Sequence, residues 1–425
     1  MKEHAAASSF ALPWSGDTHY ALPTFGGVGL PEGTLYLDNA AATPLCLPAF
    51  DAMAPWLLGM CGNPANRLHP MGELAEHALA AARATVARAL GVEQVGVTFT
   101  ASATEANNLV LRGLVDNPMR KRGRLVVGAT EHSSVLATAL RLAELHQDVE
   151  VVVLPVDAQG QVDLEAARTA IDGSTLCVAL MDVNNETGVV QAGLPAVAAM
   201  ARAAGAALHV DAVQGFARGE LGADPESVPF DTAVVSGAKM NGPKGAAALI
   251  TRRRKPRLRF EPQLTGGGQE GNLRSGTPNV PAIIGFARAV EWYALERQEG
   301  LTRIGRLEER FLSTLRAELK GRVVVAVHGE GARRVPGIAS VHFEGVNAMK
   351  LVEEARVVCA SVGSACRTLQ ATASHVLLAM GVSEEASLAS LRVSFGLCNT
   401  DDEAVTAAKL LAHAALKVKS YSAVL

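Results

Sequence analysis

The chain has 425 residues, 49% of them hydrophobic and 19% charged, which excludes both a disulfide-stapled miniprotein and a mostly disordered polymer. A net charge of −3, from 39 basic and 42 acidic residues, argues against a nucleic-acid or membrane-surface binder. No apolar run approaches the ~18 residues of a membrane span.

Residues 1–33 are rich in Pro, Gly, Ala and Ser and read as an extended N-terminal arm. They lack the basic and apolar regions of a secretory signal. From Leu35 to about residue 290 short β-branched runs alternate with helical patterns. The runs are 95–99, 125–127, 149–154, 176–183, 207–210, 233–235 and 247–250. Helical periodicity is clearest over 73–90, where Leu74, Ala78, Ala81, Val86 and Leu90 fall near one face. Further helices are expected over 105–114, 135–145 and 194–204. The alternation implies an α/β sheet covered on both faces, with ligands at the carboxyl ends of its strands. The basic run 252–255 is expected on a solvated turn. Beyond about residue 297 a charged helix (301–319) is followed by strands at 323–327, 338–343, 357–359 and 391–395, with a helix near 349–355. This is the texture of a small α+β unit. The expected division is an arm (1–33), a large cofactor-binding domain (55–297) and a small domain (34–54 with 298–425).

Six cysteines, Cys46, Cys61, Cys177, Cys359, Cys366 and Cys398, include no CxxC pair, so neither a metal site nor a disulfide framework is indicated. A reducing, cytoplasmic compartment fits this usage.

Polar residues just past the predicted strands carry the chemistry. In Phe99-Thr-Ala-Ser-Ala-Thr-Glu105, Ser102 and Glu105 have capping-box spacing. A capped helix explains that by itself, and a phosphate held by the free N–H groups with Thr104 is compatible with it. Asp211 follows the run 207–210, where a buried carboxylate needs a partner. Lys239 closes Val234-Val-Ser-Gly-Ala-Lys239. Phosphate donors, a strand-end Asp and a strand-end Lys, in that order, suit pyridoxal phosphate. In pyridoxal phosphate enzymes the lysine forms the Schiff base and the aspartate pairs with the ring nitrogen, whereas taken singly Asp211 also reads as a satisfied structural carboxylate and Lys239 as a surface lysine. His132 and Asn185 lie in two more such loops. The glycines at 266–268 lack the strand–helix setting of a nucleotide fingerprint and read as a turn near a dimer interface.

Several segments resemble cysteine desulfurases, members of the class V aminotransferase-like, fold-type I pyridoxal phosphate enzymes. They are Tyr36-Leu-Asp-Asn-Ala-Ala-Ala-Thr-Pro44, Gly62-Asn-Pro64, the Phe99–Asn108 stretch, Thr130-Glu-His-Ser-Ser134, Val183-Asn-Asn-Glu-Thr-Gly188, His209-Val-Asp-Ala212, Ser236-Gly-Ala-Lys239, Gly266-Gly-Gly-Gln-Glu270, Arg274-Ser-Gly-Thr277, Gly363-Ser-Ala-Cys366 and Arg392-Val-Ser-Phe-Gly396. The resemblance spans about 34–405. It implies a large domain with a mostly parallel seven-stranded sheet and a smaller α+β domain.

The resemblance also implies roles. Lys239 would carry the cofactor, Asp211 pair with its ring nitrogen, and Gln214 bond its ring hydroxyl. His132 would stack on the ring and shuttle protons. Ala103, Thr104 and Ser236 would hold the phosphate, with Thr277 supplied across a homodimer of shared sites. Asn185 and Arg392, near Asn39 and Ala40, would grip the substrate carboxylate. Cys366 would take sulfur from L-cysteine as a persulfide, leaving L-alanine, and pass it to an acceptor protein, as in iron–sulfur cluster assembly. The attacking group must be a thiolate.

The sequence departs from the family at Ala238, where a phosphate-binding histidine is usual. It also departs at Gln269-Glu-Gly-Asn272, at Leu397 in place of an arginine, and in 367–374, which lacks a Glu-Pro step. Three other readings stay open: a selenocysteine lyase, suggested by Ala360-Ser-Val-Gly363; a class V transaminase or lyase that does not use Cys366; and a non-catalytic scaffold.

Overall fold

The computed structural model describes residues 33–121, 123–219, 229–363 and 372–422. The N-terminal arm up to residue 32, and Cys366 with its neighbours 364–371, lie outside the described residues. The chain enters on β1 (Leu35–Tyr36), α1 (Leu47–Leu58) and α2 (Pro70–Ala89). Strands and helices then alternate: β2 (Val97–Thr100), α3 (Ala103–Val115), β3 (Arg124–Gly128), α4 (Ser133–Leu145), β4 (Glu150–Leu154), α5 (Leu164–Ala170), β5 (Thr175–Ala179), α6 (Leu194–Ala204), β6 (Ala207–Asp211), α7 (Val213–Arg218), β7 (Thr232–Ser236) and β8 (Ala247–Thr251). A 40-residue helix, α8 (Val280–Leu319), leads into β9 (Val325–Val327), β10 (Ile338–Phe343), α9 (Ala348–Glu354), β11 (Val358–Cys359), β12 (Ser361–Val362), α10 (His375–Ala379), α11 (Glu384–Leu388), β13 (Ser390–Ser394) and α12 (Asp401–Ser422).

The central sheet has seven strands in the order β2-β8-β7-β6-β5-β3-β4. β8 alone runs against its neighbours. The reason is the connection: 237–246 holds one short 3₁₀ turn and no crossover helix, so β7 and β8 must pair antiparallel. β3 to β7 are joined through helices and pair in parallel, while β2, at the sheet edge, pairs only with β8. Alternate residues feed two cores. Val126, Val178, Val210 and Val235 join one with α2 and α8, while Leu125, Cys177, Ala207 and Val234 join the other with α3 and α4. A second, four-stranded sheet has the order β12-β13-β10-β9.

Two expectations are corrected. On α2 and its C-cap, Val86 and Leu90 are buried as expected, but the rest of the stripe is Ala75, Leu79 and Ala82, one residue round from Leu74, Ala78 and Ala81, and Leu74 is exposed. The 301–319 helix starts much earlier, at Val280, where Asn279 caps Ala282 N at 3.2 Å and Pro281 sits in the first turn. The basic run 252–255 follows β8 in a turn with Arg253 and Lys255 exposed, as expected, and three of its residues also make contacts: Arg252 stacks on Phe230, Arg253 pairs with Glu93 at 2.7 Å, and half-buried Arg254 pairs with Asp231 at 2.9 Å.

Two family departures have packing explanations. Leu397 is buried against Gly300 of α8. Glu270 accepts both Arg83 nitrogens at 2.8 Å and the Phe99 N–H at 2.9 Å, and the chain then turns through Gly271 at φ +65°. A side chain at that left-handed position would be strained.

Candidate active site

The site forms where the carboxyl ends of β5, β6 and β7 meet the first turns of α3 and α4. Asp211 is the last residue of β6 and is buried. Its Oδ2 accepts from Asn107 Nδ2 at 2.8 Å and its Oδ1 from Val213 N at 3.2 Å. Ser236 ends β7, and the 3₁₀ turn Gly237–Lys239 brings Lys239 round so that its Nζ donates to the Ala41 carbonyl.

The segment 38–43 lies across these strand ends. Gln214 Nε2 donates to the Ala40 carbonyl at 3.0 Å, and Thr43 N donates to the Ala238 carbonyl at 2.9 Å. Arg392 of β13 reaches in from the second sheet. Its Nη2 pairs with Asp38 Oδ1 at 2.8 Å and its Nη1 donates to the Asn185 carbonyl at 3.1 Å. Among the described residues its Nε is buried without a partner.

Asn185 sits in a tight loop after β5. Asn184 Oδ1 organises it by accepting from Glu186 N at 2.9 Å and Thr187 N at 3.0 Å. Within 181–190 only Asn185 is not buried, and its side chain has no hydrogen-bond partner among the described residues. Asn39 faces away from this loop: its Nδ2 is spent on the Ser394 carbonyl at 2.9 Å and Asn399 Oδ1 at 3.1 Å. Ala40 contributes backbone only, its N–H donating to Ser394 Oγ at 2.8 Å.

At the start of α3, Ser102 Oγ accepts from Glu105 N at 3.1 Å. Glu105 reaches back to Ala101 N at 2.9 Å and also pairs with Arg274 at 2.7 Å. The N–H groups of Ala103 and Thr104 have no acceptor among the described residues, and Ser236 lies at the same end of the sheet, with Ala247 of β8 between it and Thr100 of β2. Thr277 is exposed in the loop beyond Arg274.

His132 caps α4, its Nδ1 accepting from Ser134 N at 3.1 Å. Burial lowers its pKa, with the charges of Lys239 and His375 acting the same way and Asp211 and Glu186 opposing. Burial also pushes the neighbouring Glu131 carboxyl well above the ordinary range, with the charges of Asp211 and Asp182 adding to it. Glu131 Oε1 accepts from Met181 N at 2.7 Å, while Oε2 is buried without a partner.

A family model for class-V aminotransferases matches residues 35–406. The chain belongs to that family. One relative is a cysteine desulfurase IscS of Anaeromyxobacter sp. (strain Fw109-5), 38% identical over 91% of this chain and 94% of the relative. A solved structure described as a NifS-like protein aligns with a TM-score of 0.80 at 28% identity, covering 92% of this chain and all of that one. A structure of SspA in complex with cysteine aligns at 0.73 and 30% identity, covering 86% of this chain and all of that one.

Two residues of this class-V site carry no assignment in the sequence reading. Asn107 is fully buried on α3 and bonded to Asp211, Ser134 and His209. Its polar neighbour Asn108 makes the pair look like a solvent face, and the signal is visible only once three distant elements are assembled. His375 opens α10 and donates from Nε2 to the Glu131 carbonyl at 2.9 Å. Ser374 before it donates to Glu186 Oε2. No spacing rule links these residues to positions 131 and 186.

Proposed function

We propose that the protein is a pyridoxal phosphate-dependent cysteine desulfurase that converts L-cysteine to L-alanine and keeps the sulfur as a persulfide on Cys366. The observation that carries this reading is the convergence of Asp211, Lys239 and His132 at one sheet edge, beside a buried arginine and a helix N-terminus with free N–H groups.

The donor set suits the cofactor. Two N–H donors aimed at Asp211 call for a carboxylate that can then face a ring N–H⁺. The N–H groups of Ala103 and Thr104, with the hydroxyls of Thr104 and Ser236, suit a phosphate. Lys239 would hold the aldehyde carbon, and Gln214 would face the ring hydroxyl. When bound, pyridoxal phosphate supplies an electron sink beside the amino acid's α-carbon.

The chain's own residues do the rest. Arg392 and Asn185 grip the substrate carboxylate, with Ala40 and the Asn39 backbone nearby. His132 lies against the ring and moves protons. The Cys366 thiolate attacks the substrate sulfur: an S–S bond forms, the carbon–sulfur bond breaks, and the alanine fragment takes up a proton. In this reading residues 55–297 hold the cofactor, and 34–54 with 298–425 form the smaller part. Thr277 serves the site of a second copy in a homodimer, and an acceptor protein of iron–sulfur cluster assembly takes the sulfur in the cytoplasm. No described helix is long and apolar enough to cross a membrane.

The test is alanine release from L-cysteine and from L-selenocysteine, using protein reconstituted with pyridoxal phosphate. Alanine from cysteine that disappears in Cys366→Ser supports the desulfurase. Alanine from selenocysteine alone would make the protein a selenocysteine lyase. Alanine that survives in the variant would exclude Cys366 as the sulfur carrier.

A further inference from the structure

A chain of hydrogen bonds runs behind the site from β7 to α4. Asn107 Nδ2 donates to Asp211 Oδ2 and to Ser134 Oγ, both at 2.8 Å. Asn107 Oδ1 faces His209 Nε2 at 2.9 Å, and His209 Nδ1 faces Thr232 Oγ1 at 2.9 Å. Ser134 Oγ faces His132 Nδ1 at 2.8 Å, and Ser134 N points at the same nitrogen at 3.1 Å.

The donor inventory fixes the direction of every link. A carboxylate only accepts, so Asn107 must turn its amide nitrogen to Asp211. Its oxygen then requires a proton on His209 Nε2. His209 is fully buried and its pKa is lowered to about 4, so it is neutral, and its bare Nδ1 accepts the Thr232 hydroxyl. Ser134 Oγ accepts from Asn107 and keeps one proton to give, and it gives that proton to His132 Nδ1 because that nitrogen must be an acceptor. What makes it an acceptor is the Ser134 backbone N–H, which can only donate and ends on the same nitrogen at 3.1 Å. His132 Nδ1 is therefore held bare by two donors, at the positive end of α4.

We infer that Asn107 and Ser134 are positioning residues that fix His132 as a neutral imidazole carrying its proton on Nε2, so that it meets the site as a hydrogen-bond donor. A proton must leave the ring from Nε2 before one can enter there, and a second proton on Nδ1 requires both donors to withdraw. The groups that face His132 and bias this equilibrium are Asp211 from β6, Lys239 after β7, Glu186 after β5 and His375 of α10. The inference rests on the reading above for His132's place beside the cofactor.

The experiment is ¹⁵N NMR of the holoenzyme labelled at histidine, with the His132 signals identified by their loss in His132→Gln. At neutral pH, Nε2 is expected in the protonated range and Nδ1 in the bare range. In Ser134→Ala one of the two donors is gone, and the His132 titration midpoint should rise by about half a pH unit to one unit. A wild-type ring protonated on Nδ1 would overturn the inference without reference to any variant. So would a Ser134→Ala midpoint that does not move. The alanine assay fails separately: an inactive enzyme with the Nε2–H ring removes the desulfurase and keeps the tautomer, and an active enzyme with an Nδ1–H ring does the reverse.

Discussion

Arg392 Nη2 lies 2.8 Å from Asp38 Oδ1, the oxygen that also accepts from Ser361 Oγ at 2.8 Å. The guanidinium expected to hold a substrate carboxylate is thus already paired on one nitrogen with a carboxylate of its own chain. Its second terminal nitrogen holds the Asn185 carbonyl, and its Nε is buried with no partner among the described residues. Asp38 pairs with this buried guanidinium and aims it. The Nε edge, with the unbonded Asn185 side chain, is what remains for an incoming carboxylate. Lysine has no fork to serve Asp38, Asn185 and a substrate together. Arg392→Lys should raise KM for L-cysteine by about tenfold or more while leaving cofactor absorbance intact. Steady-state kinetics checks this, and an unchanged KM would place the carboxylate elsewhere.

Ala238 stands where related enzymes carry a phosphate-binding histidine. Its carbonyl is held by Thr43 N at 2.9 Å and its side chain is only half-buried, so the backbone is fixed and a larger side chain has room to turn outwards. Ala238→His should add one charge-assisted hydrogen bond and tighten cofactor binding by about tenfold. Titration of the apoprotein with pyridoxal phosphate, followed by absorbance, measures it. No gain would mean that the phosphate sits away from the Gly237–Lys239 turn.

The strands of the central sheet were legible because they are Val-rich runs bounded by polar turns, and their ends moved by one or two residues in most cases. The run expected over 176–183 is an exception: β5 stops at Ala179, and the chain continues alongside β6 through single bonds such as Leu180 N to the His209 carbonyl at 3.0 Å. The first half of α8 was not legible. Ile283, Phe286, Ala287, Ala289, Val290 and Trp292 are all buried between neighbouring helices, so no one-sided stripe exists to reveal the period. On α2, alanines on several faces let Leu74 mislead the choice of face. In the site, Asp211 and Lys239 stood out because strand ends are where polar residues matter. Asn107 did not, because a buried amide within a helix gains its meaning from β6 and α4, far away in sequence.

Gly215 of α7 packs directly on Asp182. A Cβ there would fall 1.8 Å from Asp182 Oδ2 and 2.3 Å from its Cγ, in the loop that presents Asn185. In an open helix Gly→Ala would stabilise by about 1 kcal/mol. Here the overlap reverses the sign, and Gly215→Ala should destabilise by about 2 kcal/mol. Urea unfolding should show it, together with a rise in KM as the 181–188 loop shifts. A variant as stable as the wild type would mean that Asp182 swings aside freely.

His209 carries a pH signature of its own. Burial lowers its folded-state pKa from 6.5 to about 4. Between those values the unfolded chain binds a proton that the folded one refuses, so stability rises with pH across that window. The contribution is complete above about pH 6.5 and is lost as pH falls towards 4, amounting to about 3 kcal/mol for this residue. Glu131, whose folded-state pKa is raised, acts in the opposite sense at higher pH. Comparing wild type with His209→Gln cancels that background. The glutamine amide can still donate to Asn107 Oδ1, and it does not titrate. Its Tm should therefore fall less steeply than the wild type's between pH 6.5 and 4.5. Parallel Tm curves would show that His209 takes up its proton inside the fold as readily as in the unfolded chain; its Nδ1 would then donate to Thr232 Oγ1, while Nε2 would still donate to Asn107 Oδ1.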